Sequence, residues 1–248
     1  SSASTDGTKV FLPPLVDRFH NKSENFGLFK VVATHQVAHL EFGSFLFDFN
    51  RPSTLFHDLR SYLTRKYILN QNIGQVSRDL HPEEDNISQI DKPTDMGQFF
   101  YLFEDKKLAM DLFTVIEDGR LDYRVKVEYP GMISHYERVQ ASSLMDRPLI
   151  HSLPLRQIMV EALILLSLGK SSDISLPSKY IDIARSVARV FKSVLNERAT
   201  VEDTSEATIR AYGLISNLPN DLQDEMDFES FDIDDGTDQA SENIEQLM

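Results

Sequence analysis

The stretch His35-Gln36-Val37-Ala38-His39 lies in a proline-free segment that runs from about Glu24 to Phe42. Apolar residues recur along this segment, and Gly43 follows it as a helix stop. The pattern predicts an α-helix. Residues four apart on a helix lie on one face, so the two imidazoles can present ring nitrogens to one metal ion. The histidine pair therefore predicts half of a metal site.

Gln36 occupies the position where zinc peptidases with the pattern His-Glu-x-x-His carry their general base. That glutamate accepts a proton from the metal-bound water and passes it to the leaving amine, which an amide cannot do. Losing a general acid–base group lowers a rate by roughly 10² to 10⁴. The sequence therefore predicts no productive peptidase and no catalytic residue at position 36.

Glu117 is the predicted third metal ligand. Zinc peptidases of the gluzincin kind take this ligand from a glutamate on a later helix and leave the fourth position to water. Asp118 and Arg120 are predicted to support the site, by orienting a histidine or by pairing with Glu117. Zinc is the predicted cofactor. The alternative is a polar pocket in which the two histidines and Glu117 hydrogen-bond to one another and to Arg120 and bind no metal.

The composition describes a globular chain with one strongly acidic end. The protein has 248 residues, of which 41% are hydrophobic, and this is enough for a packed core. Cysteine is absent, so any metal must be held by His, Asp or Glu. Eleven Asp and Glu residues but no Lys or Arg lie between Asp221 and Met248, and they account for most of the net charge of −14. We therefore divide the chain into a nearly neutral body, residues 1–220, and an acidic tail, residues 221–248, that is predicted to be disordered.

These features exclude several classes of function. Lys and Arg do not cluster with aromatic residues in the body, and an acidic tail repels phosphate, so we expect no nucleic-acid partner. The densest apolar stretch, Ile158 to Leu168, is too short to span a bilayer and is interrupted by Glu161. Because the sequence shows neither a signal sequence nor cysteine, we expect a soluble, cytoplasmic protein.

Hydrophobic periodicity predicts a mainly α-helical body with few short strands. The residues from Val10 to Leu12 are predicted to be extended, because two prolines follow them. The polar stretch from Asn70 to Asp95 is predicted to be a loop, and the Ser-rich stretch from Lys170 to Pro177 a linker. Helices are predicted over five further segments, Leu55–Leu69, Met96–Glu128, Pro154–Gly169, Ser178–Asn196 and Val201–Ser216.

Four blocks of this sequence resemble one protein family, and they occur in that family's order. They are Val32-Ala-Thr-His35-Gln-Val-Ala-His39-Leu-Glu41-Phe-Gly43-Ser-Phe45, Ala109-Met-Asp-Leu-Phe113-Thr-Val-Ile-Glu117-Asp-Gly-Arg120, Glu128-Tyr-Pro-Gly131 and Thr200-Val-Glu-Asp-Thr-Ser-Glu-Ala-Thr208. Together they resemble the region that precedes the von Willebrand factor A domain in the nitric-oxide-reductase activation family, the NorD type. That family is similar to cobaltochelatase-type subunits and to the adaptor that serves Rubisco activase.

The resemblance implies a non-catalytic adaptor with a helical, zincin-like fold. It implies that the protein works with a MoxR-type AAA+ ATPase to activate a client metalloenzyme or insert its metal. The Mg²⁺-binding motif Asp-x-Ser-x-Ser of a von Willebrand factor A domain does not occur in this sequence. The resemblance implies that the acidic tail is a linker toward such a domain. Two alternatives remain open, a zinc metallopeptidase-like hydrolase and a chaperone that holds a metal through His35, His39 and Glu117.

The tail also carries apolar anchors among its acids. Phe228, Phe231 and Ile233 are separated by Glu, Ser and Asp. Such a segment cannot fold alone, but it can dock into a basic, apolar groove on the ATPase. The alternative interpretation is a solvated linker.

Overall fold

The described part of the chain is mainly α-helical, which confirms the fold class predicted from periodicity. The structure is a computed structural model, and it describes residues 3–66, 94–170, 174–224 and 227–231. Residues 60–66 are helical. The other helices are α1 (Lys22–Glu41), α2 (Asp95–Phe100), α3 (Lys106–Glu128), α4 (Ile133–Leu144), α5 (Leu155–Ser167), α6 (Ile181–Val194) and α7 (Val201–Ile215).

Polar side chains mark where the helices begin. The side chain of Asn21 accepts a hydrogen bond of 2.8 Å from a first-turn N–H of α1, and Asp105 accepts one of 3.0 Å at the start of α3. Thr200 and Asp203 cap α7 reciprocally, each bonded to the other's backbone N–H. After α1, Gly43 adopts a φ of 78°, a left-handed conformation that glycine reaches without strain. These local signals fix where α1, α3 and α7 begin and where α1 ends.

The largest hydrophobic core lies between α3, α5, α6 and α7. A second cluster gathers phenylalanines that precede α3 in the chain, and a third lies between α1, α3 and α4. The helix α3 contributes to all three, through Leu112 and Ile116 to the first, Ala109 to the second, and Leu121 and Val125 to the third. Because it is packed on several sides, α3 has a fixed rotation about its own axis.

The helix α7 is buried although it carries charges, and every residue in its first three turns is buried. Two of its acids, Asp203 and Glu206, accept hydrogen bonds from the irregular segment that precedes residue 60. Asp203 accepts hydrogen bonds from the N–H groups of Thr54 (2.8 Å) and Leu55 (2.7 Å). Glu206 accepts one from the N–H of Leu59 (3.0 Å). Buried charges that are hydrogen-bonded in this way tie the irregular segment to the centre of the molecule.

Two small antiparallel sheets complete the described part of the chain, one beside α1 and one whose Leu176 is buried in the main core. Pro177 in the second sheet lies opposite Phe228, at a position that the alternating ladder leaves without a hydrogen bond, so its missing N–H costs nothing. The paired strands are β1 (Ser4–Thr5) with β2 (Val10–Phe11), and β3 (Ser175–Pro177) with β4 (Phe228–Ser230).

Part of the predicted acidic tail belongs to the body. The N–H of Leu155 donates to the carbonyl of Asp221 (3.0 Å), and the N–H of Phe231 donates to the carbonyl of Ile174 (2.8 Å). The side chain of Phe231 is buried in the main core. The folded body therefore extends past the predicted boundary at residue 220, while residues 232–248 lie outside the described part of the chain.

Several predicted elements differ from the observed ones. Within Leu55–Leu69 the described helical residues are 60–66, because the preceding residues bond to α7 instead. The helix predicted over Met96–Glu128 is divided, since Asp105 caps a new helix. The helix α4 was not predicted, because Pro130-Gly131 signalled an end; there a short 3₁₀ turn leads directly into α4. Most of the loop predicted from residue 70 lies outside the described residues.

Candidate metal centre

Two pairs of side chains face each other across α1 and α3. His35 and His39 are one helical turn apart on α1, and Asp118 and Asp122 are one turn apart on α3. The spacing of four places each pair on one face of its helix. Since α1 packs against α3 through the third hydrophobic cluster, the imidazoles of one helix meet the carboxylates of the other.

The Nε2 atoms of both histidines lie near the same carboxylate oxygen. Nε2 of His35 is 3.4 Å from Oδ1 of Asp118, and Nε2 of His39 is 3.9 Å from the same atom. A tetrahedral ion with bonds of about 2.0 to 2.1 Å holds its ligand atoms about 3.3 Å apart. Ligand atoms of the three residues all lie within 4.8 Å of one another, so His35, His39 and Asp118 form a group that could hold a metal ion.

The Nδ1 atoms of the two histidines have partners of their own. Nδ1 of His35 lies 3.0 Å from Oδ1 of Asp122, and Nδ1 of His39 lies 3.1 Å from Oγ of Ser44. In metal sites the ring N–H that faces away from the ion donates to such an acceptor, which fixes the tautomer and the orientation of the ring. Both imidazoles are therefore held in the manner that leaves Nε2 available to a metal.

Glu117, the predicted third ligand, does not belong to this group within the described residues. Its carboxylate accepts hydrogen bonds from Nε (2.9 Å) and Nη2 (2.6 Å) of Arg120, and from the hydroxyls of Thr204 (2.6 Å) and Ser44 (2.5 Å). Four donors occupy the lone pairs of its two oxygens. In the group that could hold a metal, Asp118 therefore stands where Glu117 was predicted, and Glu117 is linked to His39 through the Ser44 hydroxyl.

Arg120 pairs with Glu117 inside the protein, where its side chain is completely buried. The same guanidinium donates to the carbonyls of Ala199 (3.1 Å) and Phe42 (3.2 Å). Ala199 lies just before α7 and Phe42 just after α1, so one side chain joins both helices to α3. The ion pair therefore fixes the end of α1 that carries His39.

The metal-free group holds opposite charges close together. Burial on its own would lower the pKa of His35, but hydrogen bonds and charge from Asp118 and Asp122 raise it to about 10. Burial and the positive charge of His35 lower the pKa of His39. Near neutral pH, His35 is therefore the protonated member of the pair. A metal ion bound at Nε2 would replace that proton, since a coordinating imidazole is neutral.

A chain of hydrogen bonds runs from His35 into the interface between α3 and α4. Oδ2 of Asp122 accepts from Nε2 of Gln140 (3.2 Å), and Oε1 of Gln140 accepts from Nζ of Lys126 (3.0 Å). Gln140 is buried, so its amide has little freedom to turn. These hydrogen bonds hold Asp122 in the orientation in which its Oδ1 accepts a hydrogen bond from the Nδ1–H of His35.

The group is accessible to solvent on one side. The side chain of Asp118 is 44% exposed, and those of the two histidines are about half as exposed. The ring of Phe45, which is exposed, lies edge-on to His39 with 6.2 Å between ring centroids. Gln36 is half-buried on the same helix. An ion from solvent can therefore reach the ligand atoms without opening the core.

Asp122 is a site residue that was not predicted from the sequence. The signal for it is present, because Asp118 and Asp122 repeat on α3 the spacing of four that His35 and His39 show on α1. Two helices with matching polar pairs on one face can meet through those faces. Gln140 carries no comparable signal, since α4 was not predicted at all.

Among the helices in the described ranges, none combines the length and the apolar character that crossing a membrane requires.

Comparison with known proteins does not add to the interpretation of this site. Comparison of the chain with protein-family models, with curated proteins and with solved structures gives no match.

Proposed function

We propose that the protein is a non-hydrolytic scaffold that binds a divalent metal ion through His35, His39 and Asp118. The supporting observation is the orientation of the imidazoles. Both Nε2 atoms converge on one carboxylate oxygen, and both Nδ1 atoms are held by outer partners. A pocket built for internal hydrogen bonds alone does not require an exposed carboxylate between two ring nitrogens.

Zinc is the proposed ion. Two imidazoles and one carboxylate are ligands that zinc accepts in tetrahedral sites, and the chain has no cysteine to favour softer ions. The three side chains leave a coordination position for water or for a group from a partner. When bound, such an ion would act as a Lewis acid and as a tie between α1 and α3.

Elemental analysis of the protein purified without chelator tests this proposal most directly. We expect roughly one metal ion per chain, and none in the variant with both His35→Ala and Asp118→Ala. The matched control changes Asp17→Ala and His20→Ala, which are exposed residues of the same types, and it should retain the metal. Equal metal content in all three proteins, or no uptake by the unaltered protein after incubation with Zn²⁺, would overturn the proposal.

Gln36 supports a holding role over hydrolysis. A bound water needs a base to become a nucleophile in peptide cleavage, and an amide has no protonation change near neutral pH. We expect no cleavage of a peptide library by the zinc-loaded chain. Cleavage that depends on zinc and on His35, observed without any change at position 36, would assign a metallopeptidase instead. The Gln36→Glu variant shows whether the glutamate alone restores hydrolysis.

We also propose that this scaffold serves a MoxR-type AAA+ ATPase and its client metalloenzyme. The support is the resemblance of the four sequence blocks, two of which contain His35, His39 and Asp118. We expect the protein to co-purify with such a hexamer in the presence of ATP, with or without the metal ligands. Failure to associate with any ATPase of this class would remove the adaptor role and leave a metal-holding chaperone, which transfers its ion to an acceptor protein.

A further inference from the structure

Residues 228–230 pair with β3, and the side chain of Phe231 is buried in the main core with residues of α5 and α6. The strand β4 pairs antiparallel with β3, and the N–H of Phe231 donates to the carbonyl of Ile174 at 2.8 Å. The Phe231 side chain is only 4% exposed. Phe231 lines a small pocket together with residues of two helices, and we call this surface the groove; the helix residues are Met159, Ala162 and Leu163 on α5 and Ala184, Val187 and Ala188 on α6.

This arrangement has the form of peptide recognition by strand addition. Main-chain hydrogen bonds to an open strand edge supply affinity that is independent of sequence, and a pocket for one side chain supplies specificity. Here the pocket holds Phe231, and the ring of Phe228 lies edge-on to His151 with 6.5 Å between centroids. Glu229 and Ser230, between the two rings, are exposed. The groove therefore selects two phenylalanines three residues apart.

Among the described residues, a short set of contacts holds the segment in place. The buried Phe231 ring, the partly buried Phe228 ring, a ladder of three residue pairs and the Phe231–Ile174 hydrogen bond offset the conformational entropy lost by the residues that become ordered. Segments of this kind open at a lower free energy than the helices beneath them. The body does not depend on the segment for its helix contacts, since α3, α5, α6 and α7 pack against one another directly.

We propose that this groove is a docking site for an extended, acidic, phenylalanine-bearing peptide of a partner protein, and that residues 227–231 are its resident occupant. The charges agree with this ligand class. The segment carries Asp227 and Glu229, while the exposed Lys170 and Lys179 flank β3 in the sequence. A partner peptide with the same anchors would displace the resident segment. This inference does not depend on metal binding.

A labelled synthetic peptide with the sequence of residues 224–232 tests the proposal by fluorescence anisotropy against the full chain. In the unaltered protein the resident segment competes at high effective concentration, so we expect weak binding. The Phe231→Ala chain should bind the same peptide about tenfold more tightly or better, because the competitor is gone. A control peptide with alanine in place of the second phenylalanine should bind neither chain.

A second variant tests the proposal independently if Phe231→Ala does not fold. Glu229→Pro removes an N–H that the alternating ladder uses and leaves the phenylalanine anchors in place, so it should also increase peptide binding. Helical circular dichroism and a cooperative urea-unfolding transition check that both variants are folded. Equal peptide affinity for all three folded chains would overturn the proposal. A concentration-dependent dimer that Phe231→Ala abolishes would do the same, because it would assign the groove to a second copy of the chain.

Discussion

Two adjacent carboxylates of α3 have different roles because they face different neighbours. Burial on its own would raise the pKa of Glu117, but Arg120 and the hydroxyls of Ser44 and Thr204 hold it below its usual value. Glu117 is therefore a permanent anion inside the protein, with every lone pair in use. Asp118 is partly exposed and faces two ring nitrogens. The first residue holds the helices together, and the second is free to bind an ion.

Conservative amide substitutions separate these two roles. Asp118→Asn removes an anionic ligand, so we expect zinc affinity to fall by more than the roughly 10- to 100-fold loss that follows removal of an outer hydrogen-bond partner. Glu117→Gln leaves the buried Arg120 charge without its counter-ion, so we expect a loss of about 3 to 5 kcal/mol in the free energy of unfolding while zinc still binds. Chelator competition and urea unfolding measure the two quantities. A large loss of zinc affinity in Glu117→Gln, with little loss in Asp118→Asn, would indicate that Glu117 is the ligand.

Gln140 has no contact with the proposed ion, yet we expect it to affect zinc affinity. Gln140→Leu leaves Oδ2 of Asp122 without its donor, so Asp122 and the His35 ring become less firmly oriented. The expected decrease in zinc affinity is about tenfold. Glu137→Leu, at an exposed position on the same helix, is the matched control and should leave the affinity unchanged. Equal affinities for both variants would show that this hydrogen-bond chain has no role in metal binding.

At the scale of elements, the position of α3 depends on a close approach to α6. A Cβ atom added at Gly119 would lie 2.5 Å from Cε2 of Phe191, whose ring is almost completely buried. Such a contact requires the ring or the helix to move, and movement there would disturb Asp118 next to it. Gly119 is therefore a packing requirement between two helices.

Gly119→Ala should destabilise the protein even though alanine favours helix. The gain in helix propensity is about 1 kcal/mol, while overpacking in a core costs about 1 to 3 kcal/mol. We expect a net loss in the free energy of unfolding, measured by urea denaturation. Gly131→Ala is the control, because no atom lies within 4 Å of a Cβ built there. Equal or greater stability of Gly119→Ala would mean that the ring of Phe191 moves aside without cost.

The elements that could be predicted from the sequence are those with local signals. The bounds of α1 and α7 were predicted closely, because a proline-free run that ends before Gly43 marks α1 and helical apolar spacing marks α7. The histidine pair was found for the same reason. Local sequence signals could not decide whether Glu117 or Asp118 faces the histidine pair. Consecutive residues on a helix point about 100° apart, and the rotation of α3 is set by packing against elements far away in the sequence.

At the scale of the whole molecule, buried charges organise the centre of the fold. The acids of α7 receive backbone N–H groups from the irregular segment before residue 60, and Arg60 donates to Glu206 at 3.1 Å. Arg210 donates to Glu206 at 2.7 Å. Each of these bonds joins parts of the chain that are distant in sequence, or fixes α7 itself. The polar helix α7 therefore holds distant segments together through hydrogen bonds and ion pairs, a role that apolar contacts have in most cores.

This arrangement predicts that the protein loses stability in acid, and that Asp203 carries part of the loss. Burial on its own would raise the pKa of Asp203, but hydrogen bonds from Ser53, Thr200 and the N–H of Leu55 lower it. Its contribution is therefore complete above the unfolded pKa of about 3.9 and disappears as pH falls through the lower folded pKa. Asp203→Asn should reduce the free energy of unfolding by about 1.5 to 3 kcal/mol at pH 7, and by much less in acid. Urea unfolding of both proteins, from pH 7 down to below the unfolded pKa of Asp203, measures the difference in the free energy of unfolding. A loss of equal size at every pH would show that the charge of Asp203 is not what stabilises the fold.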